Sequence, residues 1–339
     1  MSLRVGIVGT GNIFARGYLP ALLETDAIEV AAVCDIDAAR ARDAAKSLGS
    51  PRIEAAHREL VAADDLEAVL VLTPTHTHAE ISIAALDAGK HVLCEKPMAR
   101  SATDARRMIV AADGAGRRLM IGHTRRFDER WTAIHDQVRA GRIGEPVYLF
   151  RSEHAYNGAP GDAWTWQDAQ SGGVLWDVGV HVAELVHWFF GERPRSAFTR
   201  LLHVRPESVA GGAPDAAVVS LEMGDTRHAV LSVSWLHPPA WGPFYASMEV
   251  IGTGGRLDYR DLDGHPTIVA DAEGLTIARH SPLLSATAPA FLREIEHFAL
   301  ALESGGPFAI SAEEALAAVE IVEAAERSAA SGRPEAVPS

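Results

Sequence analysis

Five short apolar runs punctuate the first third of the chain: Leu3–Val8, Ile28–Cys34, 68–72, 91–94 and Leu119–Gly122, with helical stretches between them. An unbroken apolar run, unlike an alternating one, is what a strand covered on both faces requires. Strands alternating with helices build a doubly wound parallel sheet, whose ligands bind outside the carboxyl ends of the strands. The residues that follow each run are therefore the first candidates for a site. With 339 residues the chain is also too long for one ordinary domain. Past residue 122 the pattern changes to strands joined by short turns, over 196–204, 216–222, 228–235, 244–252, 256–259 and 267–269. Such strands imply a second, α+β domain with a large, mostly antiparallel open sheet. The expected organisation is an α/β nucleotide-binding domain over 1–122, a substrate-binding and oligomerisation domain over 123–330, and a frayed tail over 331–339.

The first run ends in Gly9-Thr10-Gly11-Asn12-Ile13-Phe14, the start of a dinucleotide fingerprint in its strand–turn–helix setting. Gly9 permits the tight turn, and Gly11 lets the backbone approach a pyrophosphate at a helix N-terminus. Phe14 stands where the third glycine is usual. The second run ends in Asp35, 26 residues after Gly9, near the separation of roughly 20 expected for the acid that binds the adenosine ribose. A carboxylate there repels a 2′-phosphate, which favours NAD over NADP; the competing role, capping the next helix, falls to Asp37. The third run ends in Thr73-Pro74-Thr75-His76-Thr77-His78. The fourth reaches Glu95-Lys96-Pro97, where proline stops the strand and leaves a lysine at its carboxyl end. Taken alone, Lys96 could equally be a surface partner of Glu95.

In the second half, Gly172-Gly173 opens a long apolar helix over 173–190 that carries Asp177, His181, Glu184 and Trp188. These sit at i, i+4, i+7 and i+11 and share one face, which must meet water, a partner or a cleft, because unpaired burial costs several kcal/mol. Asp177 and His181 could simply pair. A metal reading, with Asp177, His181 and Glu184 as ligands, lacks further His or Cys at ligand-like spacing. Arg126, Tyr156, Trp164 and Trp166 are additional candidates for a substrate pocket, being polar and aromatic groups suited to a polyhydroxylated ligand.

The formal net charge of −14 argues against nucleic acid, whose phosphates need clustered Lys and Arg. Cys34 and Cys94 both lie in apolar runs, as small core residues do, so neither a disulfide framework nor a zinc cluster is expected. No apolar run reaches membrane-spanning length, and the first strand begins at Leu3, too early for a signal peptide. The expected setting is cytoplasmic.

Gly9-x-Gly11, Asp35, Thr73-Pro74 with His78, Gly89-Lys90-His91-Val92 leading into Glu95-Lys96-Pro97, and Gly172-Gly173-x-Leu175-x-Asp177-x-Gly179-x-His181 together resemble the Gfo/Idh/MocA oxidoreductases, the glucose–fructose oxidoreductase and inositol dehydrogenase superfamily. The resemblance runs from residue 3 to about 191. It implies a Rossmann domain, a nicotinamide cofactor, a sugar, cyclitol or other polyol substrate, and a homodimer or homotetramer built through the C-terminal sheet. It implies cofactor contacts at Gly9, Gly11, Asn12, Ile13, Asp35, Thr73, Pro74, His78, Glu95 and Lys96, and a Lys96–Pro97 peptide that is commonly cis. By position, Lys96 reaches the reacting hydroxyl, Asp177 orients it and His181 exchanges its proton. The imidazole's unperturbed pKa of about 6.5 suits that exchange near neutral pH. Two alternatives stay open: an NAD-dependent glycosidase that uses transient oxidation, and a nucleotide-sensing regulatory protein, which would need the glycine loop but no proton relay.

Overall fold

The computed structural model describes residues 2–238, 240, 244–260, 267–271, 274–278 and 288–338. The chain divides into two compact units, Met1–Glu129 with Ala286–Leu316, and Arg130–Ser285 with Ala317–Ser339. The first unit thus runs past the expected boundary at 122 and takes in a segment from near the C-terminus.

In the first unit, β1 (Leu3–Val8), β2 (Ile28–Cys34), β3 (Arg52–Glu54), β4 (Ala68–Val71), β5 (His91–Glu95) and β6 (Leu119–Gly122) form one parallel sheet in the order β3-β2-β1-β4-β5-β6. The order reverses between β1 and β4, the switch point at which doubly wound sheets open a crevice for ligand. Every residue of β4 is buried, as its unbroken apolar run demands. The helix His57–Val61 crosses β1 so closely that a Cβ on Gly6 would lie 2.5 Å from Leu60 Cδ2. Local sequence sets the helix ends: Asp37 caps Ala38–Ser47, Ser101 caps Ala102–Ala115, and Gly116 stops the latter at φ +60°. The helix Ala288–Ser304 packs back onto the start of the unit, with the Phe291 and Tyr18 rings 4.9 Å apart.

The second unit holds a nine-stranded sheet built from β7 (Pro146–Ala155), β8 (Ser196–Leu202), β9 (Ala216–Met223), β10 (Arg227–Ser234), β11 (Phe244–Gly252), β12 (Gly255–Arg260), β13 (Thr267–Asp271), β14 (Gly274–Ala278) and β15 (Glu335–Ala336). Its order is β14-β13-β12-β11-β7-β10-β9-β8-β15, antiparallel except where β7 meets β10. β14 and β15 were not expected. β15 is too short to show any periodicity in sequence, yet it pairs with β8 and seats Val337 at 7% exposure. The end of the chain therefore finishes a sheet edge instead of fraying. One face of the sheet is dry: Arg151 and Glu153 of β7 are buried there as an ion pair at 2.7 Å, with the guanidinium 4.3 Å from the Trp131 ring. The other face shows Phe150, Val218 and Ile251 to the outside, and the Ser152 and Ser247 hydroxyls meet there at 2.7 Å. Among the described residues no helix is long and apolar enough to cross a membrane.

Candidate active site

The glycine loop leaves β1 with Gly9 at φ +96°, and a Cβ there would lie 2.6 Å from the Leu72 carbonyl oxygen at the end of β4. Only glycine fits. Gly11 differs: an added Cβ meets nothing nearer than Arg40 Nη1 at 3.9 Å, so the chain leaves open the space that a pyrophosphate needs over this backbone. Asn12 is exposed and Ile13 half-buried beside it. Phe14, in place of the third glycine, is buried in the hydrophobic core and begins a π-turn, Phe14–Tyr18, that precedes the helix Leu19–Glu24. The missing glycine is thus absorbed by a wider helical turn, with the phosphate cradle intact.

Asp35 is held before any ligand arrives. Its Oδ2 accepts the Thr10 backbone N–H at 2.7 Å and the Thr10 hydroxyl at 3.1 Å, and its Oδ1 accepts the Asp37 N–H at 2.8 Å. Asp37, not Asp35, caps the following helix. Next to Asp35 stands Ile36, an apolar side chain left entirely in solvent. Sequence reasoning passed over it, although a lone apolar residue between two aspartates at a strand end was a visible signal.

Thr73 and Pro74 are half-buried at the end of β4, where the Thr77 hydroxyl lies 2.7 Å from Thr73 Oγ1. His78 is turned inward. It is 1% exposed, with Nδ1 2.8 Å from the Pro97 carbonyl and Nε2 2.8 Å from that of Thr73. The ring therefore ties the end of β4 to the turn after β5. Burial lowers its pKa against the pull of the two carbonyls. Glu95 is also turned inward, 4% exposed, with Oε1 3.1 Å from the Tyr18 hydroxyl and Oε2 accepting the Lys96 N–H at 3.0 Å. These contacts brace the strand end, because a dry carboxylate must spend its lone pairs on the protein. Lys96 itself is half-buried at the strand end and joined to Pro97 by a cis peptide. Its charge is felt nearby: burial, then Arg126, Lys96 and Arg125, push the wholly buried His123 down to about 3, so that imidazole is neutral. Arg126 is turned into its own unit. It is 8% exposed, and its guanidinium donates to the Ala309 carbonyl and to Glu314 at 3.0 Å.

In the second unit the helix over 173–190 begins with a π-turn, Leu175–Gly179, before Val180–Phe190 continues as an α-helix. Asp177 lies within the π-turn, a geometry that recurs at functional sites. Its Oδ2 accepts the Trp235 indole N–H at 3.1 Å. Trp235 escaped the sequence reading, since a tryptophan closing a strand looks like core. Trp166 is 1% exposed, donates its indole N–H to the Ala159 carbonyl at 3.1 Å and meets Trp235 edge-on at 5.3 Å. It packs behind Trp235. His181 is half-buried one helical step beyond Asp177. Glu184, placed on the same polar face by spacing, is 1% exposed, and Trp188 stacks on His135 at 4.0 Å, so the stripe does not continue as a wet face. Tyr156 and Trp164 are the aromatic candidates that remain accessible, with Arg205 5.4 Å over the Tyr156 ring. Among the described residues no three His, Cys, Asp or Glu side chains are grouped to hold a metal ion.

These geometries can be set beside known proteins. Residues 3–123 match the GFO_IDH_MocA oxidoreductase family with its NAD-binding Rossmann fold, and residues 131–258 match the GFO/IDH/MocA C-terminal domain. The chain belongs to the Gfo/Idh/MocA oxidoreductases. An oxidoreductase of Rhizobium meliloti is 31% identical over 99% of this chain and 99% of its own. Inositol 2-dehydrogenase of Rhizobium meliloti strain 1021 is 29% identical over 98% of each chain. The crystal structure of GenD2 from gentamicin A biosynthesis, in complex with NAD, superposes with a TM-score of 0.86 at 26% identity, covering 100% of this chain and 97% of that one. This Gfo/Idh/MocA member is an oxidoreductase of the dehydrogenase kind with an NAD-binding Rossmann fold, and nothing in these likenesses favours a glycosidase or a sensor.

Proposed function

We propose that the protein transfers hydride between NAD and a secondary hydroxyl of a cyclitol, sugar or related polyol, using Lys96, Asp177 and His181. The placement of Lys96 carries this reading: it stands at the carboxyl end of β5, two strands from β1, in a sheet whose Gly11 backbone is left open. NAD, when bound, supplies the hydride acceptor. The Gly9–Ile13 loop would hold its pyrophosphate, Asp35 its ribose hydroxyls and Ile36 the adenine face. Lys96 lends positive charge to the hydroxyl as its proton leaves, His181 takes that proton, and Asp177, braced by Trp235, keeps the group in register. Tyr156 and Trp164 offer ring faces to the C–H side of the substrate. The inositol 2-dehydrogenase relatives support a cyclitol ahead of other polyols. A cytoplasmic setting suits an enzyme drawing on the nicotinamide pool and carrying two free, buried cysteines, Cys34 and Cys94.

The test is reduced-cofactor formation over a panel of cyclitols and sugars, with NAD and NADP side by side. Turnover of at least one cyclitol with NAD is expected, and silence across the panel overturns the reading. NAD is expected to outperform NADP in kcat/KM, because a 2′-phosphate facing Asp35 sets like charges together at a cost of several kcal/mol. Asp35→Ser should narrow that preference by about tenfold or more; an unchanged ratio would remove Asp35 from the ribose site. We further propose a homodimer or homotetramer formed through the sheet face that presents Phe150, Val218 and Ile251. Light scattering should give two or four times the 36.2 kDa chain mass, and Val218→Lys should shift it downward. A wild-type monomer would refute this.

A further inference from the structure

The carboxyl end of β5 is braced from inside by two carboxyl groups facing one hydroxyl. Tyr18, Glu95 and Glu294 are 0%, 4% and 0% exposed, and they come from the π-turn after the glycine loop, from β5 and from the helix Ala288–Ser304. The Tyr18 hydroxyl oxygen lies 3.1 Å from Glu95 Oε1 and 3.0 Å from Glu294 Oε1. The pocket is cut to size: a Cβ on Gly122, at the end of β6, would stand 3.0 Å from the Tyr18 hydroxyl and 3.3 Å from Glu294 Oε1.

A count of protons orders this cluster. Tyrosine has one hydroxyl proton and can donate it to one of the two carboxyls, so the other contact is a hydrogen bond only if that carboxyl donates. Glu95 accepts the Lys96 N–H through Oε2, which suits an anion. Glu294 has no such donor at its other oxygen, Oε2, which is buried without a hydrogen-bond partner. Two ionised carboxylates sharing a dry pocket would repel each other and lose their hydration, and such pairs resolve by keeping one proton. We propose that Glu294 is a positioning residue for Lys96: its protonated carboxyl donates to Tyr18, Tyr18 donates to ionised Glu95, and Glu95 fixes the Lys96 backbone. This rests on the reading that Lys96 acts on the substrate.

Burial first, and the Glu95 charge second, hold the Glu294 carboxyl well above the usual carboxylate range, against the Tyr18 hydrogen bond. Among the other ionisable groups on elements packed against this helix, the Cys34 thiol of β2 is buried, and burial first pushes its pKa up to about 11. Arg16 and Glu24 are exposed, Glu29 pairs with Arg4, and of the pair Arg125 and Arg126 in the 124–127 turn, Arg126 bonds Glu314. Native Glu294 keeps a proton that the unfolded chain releases above about pH 4.3, so its contribution to stability falls as pH rises through and beyond that value. Glutamine carries no such proton, and its amide can still donate to Tyr18.

The experiment compares the full-length wild type with Glu294→Gln and Glu294→Leu. Infrared difference spectra at neutral pH should show a protonated carboxyl C=O band in the wild type that is missing from Glu294→Gln. The melting temperature of Glu294→Gln relative to wild type should climb as pH is raised from 5 to 8. Glu294→Gln should keep most of kcat, whereas Glu294→Leu should lose about a hundredfold in kcat with NAD affinity retained, the cost of roughly an ångström's misplacement. No missing infrared band, or a relative melting temperature that falls with pH, overturns the proposal, even if Glu294→Leu fails to fold. Full activity in Lys96→Ala would instead overturn the catalytic reading and leave the infrared result standing.

Discussion

Lys96→Ala is expected to lower kcat/KM for the preferred polyol by about a thousandfold while leaving NAD affinity within a few-fold of wild type, the loss typical of removing a preorganised charge from a developing oxyanion. The side chain is half-buried at the end of β5, and its backbone N–H is already claimed by Glu95. Truncation therefore removes the ammonium group and leaves the strand end held. Steady-state kinetics give the first number, and fluorescence titration of bound NADH gives the second. A merely solvated lysine would leave kcat/KM unchanged as well as NAD affinity, since exposed ion pairs contribute about 0–1 kcal/mol. Parallel losses of NAD affinity and melting temperature would mean that Lys96 supports the fold and not the chemistry.

His181→Asn should cost roughly 10²–10⁴ in kcat, the range for a positioned general base, and should do so most strongly near neutral pH. Asparagine keeps a polar side chain in the helix Val180–Phe190 but cannot take up a proton. The diagnostic is the pH profile. In the wild type, kcat/KM for oxidation should fall on the acid side as the base becomes protonated; in His181→Asn that limb should disappear, leaving a low, flat rate. An acid limb that survives unchanged would assign the proton to another group.

Five strands of the parallel sheet were legible because they are largely buried apolar runs such as 68–72, whereas β3, three residues long and mostly exposed, left no run to read. The strand-end residues were legible for the same reason, since each run stops at a glycine, an aspartate or a proline. What sequence could not show is the direction in which each side chain turns. Glu95 and Lys96 are neighbours in one motif, yet the carboxylate points into the core and the amine's strand end faces the ligand edge. His78 and Trp166 carry the polar handles of binding residues, and they spend them on carbonyl oxygens of their own unit. Trp235 and Glu294 lie 58 and 276 residues from the side chains they brace, Asp177 and Tyr18, so no local pattern could connect them. The two π-turns add one residue to a helical turn, which shifts the phase of every position after it. Spacing counted at 3.6 residues per turn put Glu184 on one face with Asp177 and His181 but could not tell water from protein on that face, and Glu184 is buried.

The helix Ala288–Ser304 also has a consequence for how the protein is made. Phe291 fills the space over Gly17, where a Cβ would come within 2.6 Å of its ring, and Glu294 closes the pocket at Tyr18. The nucleotide-binding unit is thus encoded at both ends of the message, and its N-terminal part emerges from the ribosome long before the helix that covers Tyr18. A nascent chain of 129 residues would have the sheet order of a finished domain but an uncovered aromatic seam. Release of the helix Ala288–Ser304, and not completion of the glycine loop, is what closes the pocket around Tyr18.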